Sequence, residues 1–378
     1  MPASLIVGLG RAGSGLHLPA LHRLPAAIRA PGDPVLGLDP HLDPGADLPG
    51  LTRVTSVAEA ASRADAATTV VHLCTPPTDR AEIAATLAAY GFRRLIVEKP
   101  LAADEDELDA LLAVIREHRL CVVPVSQWLD SALTTRIEKI VADGELGRLT
   151  SLAFRQHKPR FARGLRDREH PTAFDVEAPH ALGVALWLAG AGRVRNAGWD
   201  DLRTEDGLAP RLGAAWMTLA HAGGVRTRID SDLTAPIRER RVHARFTGGK
   251  LTGWYPCSEA DHHAQLVVDD GRRRTRVTFA DDAMSACLAD AYRHFATSAG
   301  RDIAGVAFRL AVNAEVVRLL AEAKRRAGMR AGLQAGTRAG PQAGPQAGTG
   351  AGPQAGTGAG PQAGTGAGMP AGLREAVR

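Results

Sequence analysis

A lysine delivered to the end of a buried strand is the first residue here with a chemical use. Residues 95–101 read Leu-Ile-Val-Glu-Lys-Pro-Leu, a short apolar run that stops at a charged pair and at a proline, which cannot donate to a sheet ladder. Glu98 and Lys99 therefore stand at the carboxyl end of a strand, the side on which open α/β sheets bind ligands. An ammonium held there by a rigid element can stabilise negative charge developing on a substrate oxygen. A second constellation is Gly8-Leu9-Gly10-Arg11-Ala12-Gly13, between a β-like run at residues 4–9 and a helical run at residues 16–29. Glycines at such a turn let backbone amides approach a pyrophosphate, which the amino end of the following helix then holds. The next strand, residues 35–38, ends at Asp39. Its carboxylate can accept hydrogen bonds from both adenosine ribose hydroxyls and would repel a 2′-phosphate. Gly8, Gly10, Arg11, Ala12, Gly13 and Asp39 are thus expected to bind a dinucleotide, NAD with NADP as the alternative.

Two further clusters carry chemical side chains. Residues 155–166 are strongly basic and include Arg160 and Arg163, which could bind an anionic substrate such as a phosphorylated or nucleotide-linked sugar; the competing reading is a solvated loop. Residues 257–263, Cys-Ser-Glu-Ala-Asp-His-His, hold metal-ligating types, but their spacing matches no usual zinc pattern and no metal is expected.

The elements that must position these groups follow a legible order. Strands near residues 52–55, 69–74, 95–99 and 121–125 alternate with helices from residue 57, at 79–90 and at 104–118, which means a parallel sheet covered on both faces. After a helix at residues 133–143, strand-like segments near 149–155, 214–220, 226–233, 241–246, 265–268 and 274–279 succeed one another with few helices between them. The exceptions are helices around residues 180–188, 284–297 and 304–325. The expected fold is α/β: a Rossmann dinucleotide-binding domain over residues 1–126, then an α+β substrate and oligomerisation domain over 127–326 with a large, mainly antiparallel sheet. Residues 327–378 degenerate into Ala-Gly-Pro-Gln and Ala-Gly-Thr-Gly repeats that bury too little apolar surface to offset their ordering entropy, and are expected to be disordered.

At 378 residues, 45% hydrophobic and 23% charged, the chain has a globular composition. A net charge of +5 is too small a bias to indicate nucleic acid, and no run is long and apolar enough to span a membrane. Four scattered cysteines and the lack of an export signal point to the cytoplasm. The expected partners are a small-molecule substrate and a second copy of the chain, a homo-oligomer formed through the sheet of the second domain.

The glycine turn, Thr75-Pro76, Glu98-Lys99-Pro100, the turn Gly144-Glu145-Leu146-Gly147 and a helix bearing His180 follow one another at spacings that resemble the glucose-fructose oxidoreductase, inositol dehydrogenase and MocA family, over residues 4–327. The resemblance implies a nicotinamide-dependent oxidoreductase acting on a sugar, cyclitol or related polyol. It implies that Lys99 and His180 flank the reacting carbon, that Thr75, Pro76, Glu98 and Gln127 join the cofactor site, and that Trp128 borders the substrate. The sequence departs from the family pattern at Val176, where an aspartate is usual and where Asp175 and Glu177 stand on either side, at Gly183, and near Arg80, where a histidine is usual.

In this reading His180 is the base for the hydroxyl proton, Lys99 supplies positive charge to the oxygen, and Glu177 or Asp175 orients His180 or binds a substrate hydroxyl. The other readings are a non-catalytic dinucleotide-binding regulator of the same fold, and an imine or ene reductase using the same cofactor.

Overall fold

The structure is a computed structural model that describes residues 3–338 except 31, 44, 46, 167–169, 259 and 298–302. Strand β1 (Ser4–Val7) is wholly buried and runs into the glycine turn; a π-helical turn over Gly13–His17 then leads into α1 (Leu18–His22). This helix stops short of the expected residue 29 because Pro25 disfavours a helical residue before it; the chain turns there instead, with the Ile28 and Arg29 N–H groups donating to the Pro25 carbonyl. There follow β2 (Val35–Leu38), β3 (Thr52–Val54), α2 (Val57–Arg63), β4 (Val70–Leu73), α3 (Arg80–Ala89), β5 (Arg94–Val97), α4 (Glu105–Glu117) and β6 (Cys121–Pro124). The Ser56 and Asp104 side chains start α2 and α4 by accepting the N–H groups of Glu59 and Glu107. All six strands are parallel in the order β3-β2-β1-β4-β5-β6. The order reverses between β1 and β4, the switch point where an open α/β sheet leaves a crevice.

Helix α5 (Ala132–Asp143) is capped by Ser131 and ends at Gly144, whose φ of 69° suits glycine. Then come β7 (Leu149–His157), α6 (Phe161–Arg166), α7 (Ala173–Ala189), β8 (Gly192–Thr204), β9 (Gly207–His221), β10 (Arg226–Asp232), β11 (Glu239–Phe246), β12 (Lys250–Trp254), β13 (His263–Asp269) and β14 (Arg274–Ala280). They form an eight-stranded sheet in the order β14-β13-β12-β11-β7-β10-β9-β8, antiparallel except where β7 runs parallel to β10. β8 and β12 were not expected from the sequence. In β8 the register shifts between Val194 and Asn196 and between Asp200 and Leu202, so its apolar residues lose the two-residue period that marks a strand. β12 is too short and too polar to show one. The basic run at residues 155–166 is no solvated loop: it finishes β7 and forms α6.

The carboxyl-terminal helix α8 (Ala283–Thr297) packs on the first sheet, and α9 (Ile303–Arg338) joins the two cores. Buried nearly throughout, α7 lies between the second sheet and α9, packing with Phe154, Met217 and Ile229. Helices α3 and α4 cover one face of the first sheet, while α1 and α8 cover the other. Helix α9 serves both cores: Val312, Val316 and Leu319 pack with the second sheet, and Ala314 and Val317 with the first. It runs on to Arg338, past residue 327, because alanine, arginine, leucine and glutamine there favour helix. The remaining residues expected to be disordered, 339–378, lie outside the described residues. Among the described residues no helix is long and apolar enough to cross a membrane.

Phe154, 1% exposed, sits on β7 between β10 and β11. Phe154→Ala is expected to cost about 3–5 kcal/mol in chemical denaturation, the sum of lost burial and an unfilled cavity. A loss below about 1 kcal/mol would show that the core closes over the gap.

Candidate active site

The glycine turn is built by exclusion. Gly8 has a φ of +88°, and a Cβ there would lie 2.9 Å from the backbone of Cys74 and Thr75, just past β4. A Cβ at Gly13 would come within 2.0 Å of the Gly8 carbonyl oxygen, so these two glycines let the turn pack against its own helix and the neighbouring strand. At Gly10 a Cβ would meet nothing within 4 Å: here the missing side chain leaves open space over the turn, which a phosphate group can fill. From the end of β2, Asp39 accepts the Leu9 N–H through Oδ2 and the His41 N–H through Oδ1, both at 2.8 Å. Its carboxylate thus braces the turn, and each oxygen keeps a lone pair for a ribose hydroxyl.

Glu98 is buried at the end of β5. Its Oε2 accepts the Lys99 N–H at 2.9 Å and its Oε1 accepts His17 Nε2–H at 3.1 Å. Burial alone would raise the Glu98 carboxyl, but His17, then Lys99 and Arg80, hold it down at about 2. Burial likewise opposes charge on His17, which the Cys74 sulfur and Glu98 nevertheless raise to about 10. His72, 2.8 Å from His17 between Nδ1 atoms, is kept neutral by its own burial and by the charge on His17. These protonation states fix the donors: His17 Nδ1–H donates to His72 Nδ1, and His72 Nε2–H donates to the Tyr292 oxygen at 3.0 Å. The Tyr292 hydroxyl then pairs with Ser4 Oγ at 2.5 Å. A buried polar chain thus crosses one face of the first sheet from Glu98 to Ser4. Arg80, also buried, donates to the carbonyls of Thr75 (2.8 Å), Glu98 and Pro100, and burial lowers it to about 10. It ties the turn after β4 to the turn after β5.

These turns open on one cleft of about 1310 Å³, which every expected site residue borders except Gly13. A single-ligand pocket commonly has about 300–1,000 Å³, so this one has room for a dinucleotide and a second molecule. Lys99 Nζ donates to the Val176 carbonyl in the first turn of α7 at 3.3 Å, which brings the strand end against the helix that carries His180. The His180 ring stacks on Trp128 with centroids 5.4 Å apart, and Trp128 on Tyr255 at 3.9 Å. Trp128, expected against substrate, is 3% exposed and forms the wall that fixes the His180 ring. Burial, then the Lys99 charge, pushes His180 down to about 3, so the ring is neutral near neutral pH.

The two carboxylates beside Val176 have other partners. Asp175 Oδ2 accepts the N–H and hydroxyl of Thr172, capping α7, while its Oδ1 accepts Lys324 Nζ at 2.6 Å, tying α7 to α9. Buried Glu177 accepts a hydrogen bond from Lys158 and faces Arg240 at 3.6 Å. Burial would raise it, but Arg240 and Lys158 hold it well below the carboxylate range. Gln127 borders the cleft beside Trp128, and Arg160 and Arg163 border it from the start of α6. His17, His72, Tyr292 and Arg240 were not expected in the site: they lie far apart in the chain, and no local pattern marks them.

Comparison with known proteins bears on the same elements. Residues 3–125 match the oxidoreductase family with the NAD-binding Rossmann fold, Gfo/Idh/MocA. The amino-terminal domain is an NAD(P)-binding domain of that family. Among solved structures the chain is similar to KijD10, a 3-ketoreductase from Actinomadura kijaniata in complex with TDP-benzene and NADP: 15% identity over 84% of this chain and 96% of that one, TM-score 0.67. It is also similar to an NAD binding oxidoreductase from Klebsiella pneumoniae, at 16% identity over 87% and 98% of the two chains, TM-score 0.70. At such identities the likeness is one of fold, and it extends through the second sheet. No curated protein matches the chain in sequence.

The His17–Glu98 pair sets a pH window. Held above its ordinary 6.5, His17 stabilises the fold fully below that pH, and the contribution is lost as the pH rises through about 10. Glu98, held below its ordinary 4.5, contributes above that pH and loses its contribution as the pH falls through about 2. Thermal melts should therefore decline from neutral pH toward pH 10, and His17→Gln should lower the plateau while flattening that decline. An unchanged alkaline limb in the variant would show that His17 is not charged.

Proposed function

We propose that this oxidoreductase interconverts an alcohol and a ketone on a sugar, cyclitol or sugar-derived substrate, with Lys99 and His180 on either side of the reacting carbon. One observation carries the reading: a lysine from the end of β5 and a neutral histidine from α7 border one cleft with the glycine turn, and the lysine ammonium is bonded to the backbone of the histidine's own helix.

The turn at Gly8 to Gly13, with open space over Gly10, and the Asp39 carboxylate fit the phosphates and ribose of NAD(P), which when bound supplies the hydride acceptor or donor. His180, neutral and held flat against Trp128, accepts the hydroxyl proton in oxidation and returns it in reduction. Lys99 places positive charge where the substrate oxygen becomes negative. Asp175 acts as the cap that sets the start of α7, and Glu177 as the counter-charge to Lys158 and Arg240. The ketoreductase named for KijD10 agrees with this reaction class.

Lys99→Ala and His180→Ala should each lower turnover by about a hundredfold to ten-thousandfold and leave NADH affinity within about twofold of the unmodified protein. Single-turnover NADH oxidation, after a screen of keto-sugars, measures both; near-normal rates in both variants would remove these residues from the chemistry, and NADH binding with no turnover of any substrate would favour a regulator.

Asp39 also predicts a preference for NADH over NADPH that narrows in Asp39→Ala. Direct titration of the two cofactors checks it, and tighter binding of NADPH by the unmodified protein would overturn it.

A further inference from the structure

A second cavity, of about 610 Å³, lies at the opposite end of the first sheet from the cleft, where β2 and β3 begin. It is walled by the stretch in which α1 stops early. The Arg29 N–H donates to the Pro25 carbonyl and the Asp33 N–H to the Ala30 carbonyl, so residues 25–33 turn in steps toward β2 instead of continuing a helix. Leu21, Leu24 and Val35, all buried, give the cavity an apolar side. His22 stands at its rim, with Nε2 2.9 Å from where a Cβ on Gly50 would lie.

Arg29 borders the same cavity and is only 7% exposed. A guanidinium carries five N–H donors, and this one spends few of them: Nη2 donates to the Asp33 carbonyl, while Nε is sealed from solvent with no hydrogen-bond partner. Nη1 makes no hydrogen bond among the described residues and is not sealed in the same way, which leaves it to the cavity. Among the described residues no carboxylate forms an ion pair with Arg29. The nearest in sequence, Asp33, turns its Oδ2 to the Ala30 N–H at 2.8 Å. The charge is felt inside the protein: after burial and His17, Arg29 is the third influence that keeps His72 neutral. Of these two cations, His17 has Glu98 as its counter-charge and Arg29 has none in the described structure. A guanidinium does not shed its proton, so a buried one lacking a counter-charge opposes folding until an anion joins it.

We infer that this cavity is a binding site for a monocarboxylate with an apolar body, its carboxylate on Arg29 and its body against Leu21, Leu24 and Val35. The volume suits one small ligand. A single guanidinium matches one carboxylate, and the Asp33 side chain on the same wall opposes the second charge of a phosphate. His22 offers a further N–H at the rim. The site is separate from the dinucleotide cleft and does not depend on Lys99 and His180 carrying the chemistry.

Benzoate, titrated calorimetrically into protein already saturated with NADH, tests the assignment. Binding is expected, weaker at high than at low chloride concentration. Arg29→Gln should weaken it about tenfold, the loss of one charge-assisted hydrogen bond. Asp33→Asn removes a negative charge from the wall but keeps an oxygen for the Ala30 N–H, and should tighten binding about threefold. Asp33 is half-exposed, so this variant keeps the test valid if loss of Arg29 disturbs folding. NADH affinity should stay within about twofold in both variants, and benzyl alcohol and inorganic phosphate should each bind at least about tenfold more weakly than benzoate. No benzoate binding, binding unchanged in Arg29→Gln, weaker binding in Asp33→Asn, or benzyl alcohol bound as tightly as benzoate would each overturn the site. Phosphate bound more tightly than benzoate would overturn its assignment to a monocarboxylate.

Discussion

A carboxylate sealed from water at the end of a strand must find its donors inside the protein, and for Glu98 they come from the two parts of the chain that a dinucleotide enzyme needs to hold together. One donor is His17, at the end of the π-helical turn that follows the glycine turn; the other is the backbone N–H of Lys99 itself. Arg80 adds a third link by bonding the carbonyls of the turns after β4 and β5. Buried ions cost several kcal/mol each unless paired and hydrogen-bonded, so the arrangement tolerates little slack. The glycine turn, the switch point and Lys99 are therefore one electrostatic unit, and the position of the lysine is tied to the element that receives the cofactor.

The second half of the cleft is held by packing. Helix α7 is buried on nearly all sides, and α9 lays residues of one helix into both cores, so the sheet from which Lys158 and Arg240 reach Glu177 and the sheet that carries Lys99 share a common support. Stacking of Trp128 between His180 and Tyr255 removes the rotational freedom that a histidine in a cleft would otherwise have. The ring so fixed is also kept neutral, since burial and the neighbouring Lys99 both act against its charge. Lys99 thus helps to keep the adjacent imidazole in its neutral form, and in the proposed reaction the same ammonium faces the substrate oxygen.

Asp175 and Glu177 show how the same residue type takes different work from its surroundings. Two positions apart on α7, one is consumed by a helix cap and a lysine of α9, the other balances cations that face the cleft. From the sequence they were equivalent candidates. What separates them is that Lys324 lies far along the chain from Asp175, while Lys158 and Arg240 reach Glu177 from two strand ends that only the sheet brings together.

Much was determined by the sequence alone, because it depends on local rules. Apolar runs of four residues between helices specify the parallel strands, glycines at residues 8, 10 and 13 specify a close turn, and a proline after Glu98-Lys99 ends the strand where a ligand can approach. The second domain's sheet type followed from its succession of strands, though β8 and β12 escaped because bulges and brevity erase the two-residue period. Only the tertiary structure decided the rest. The buried chain from Glu98 to Ser4 joins residues as much as 288 positions apart, and the meeting of Lys158 and Arg240 at Glu177 depends on the register of β7 with β11. Charge pairing in low dielectric acts over a few ångströms of space and is blind to distance along the chain, so a pattern read along the sequence carries no trace of it.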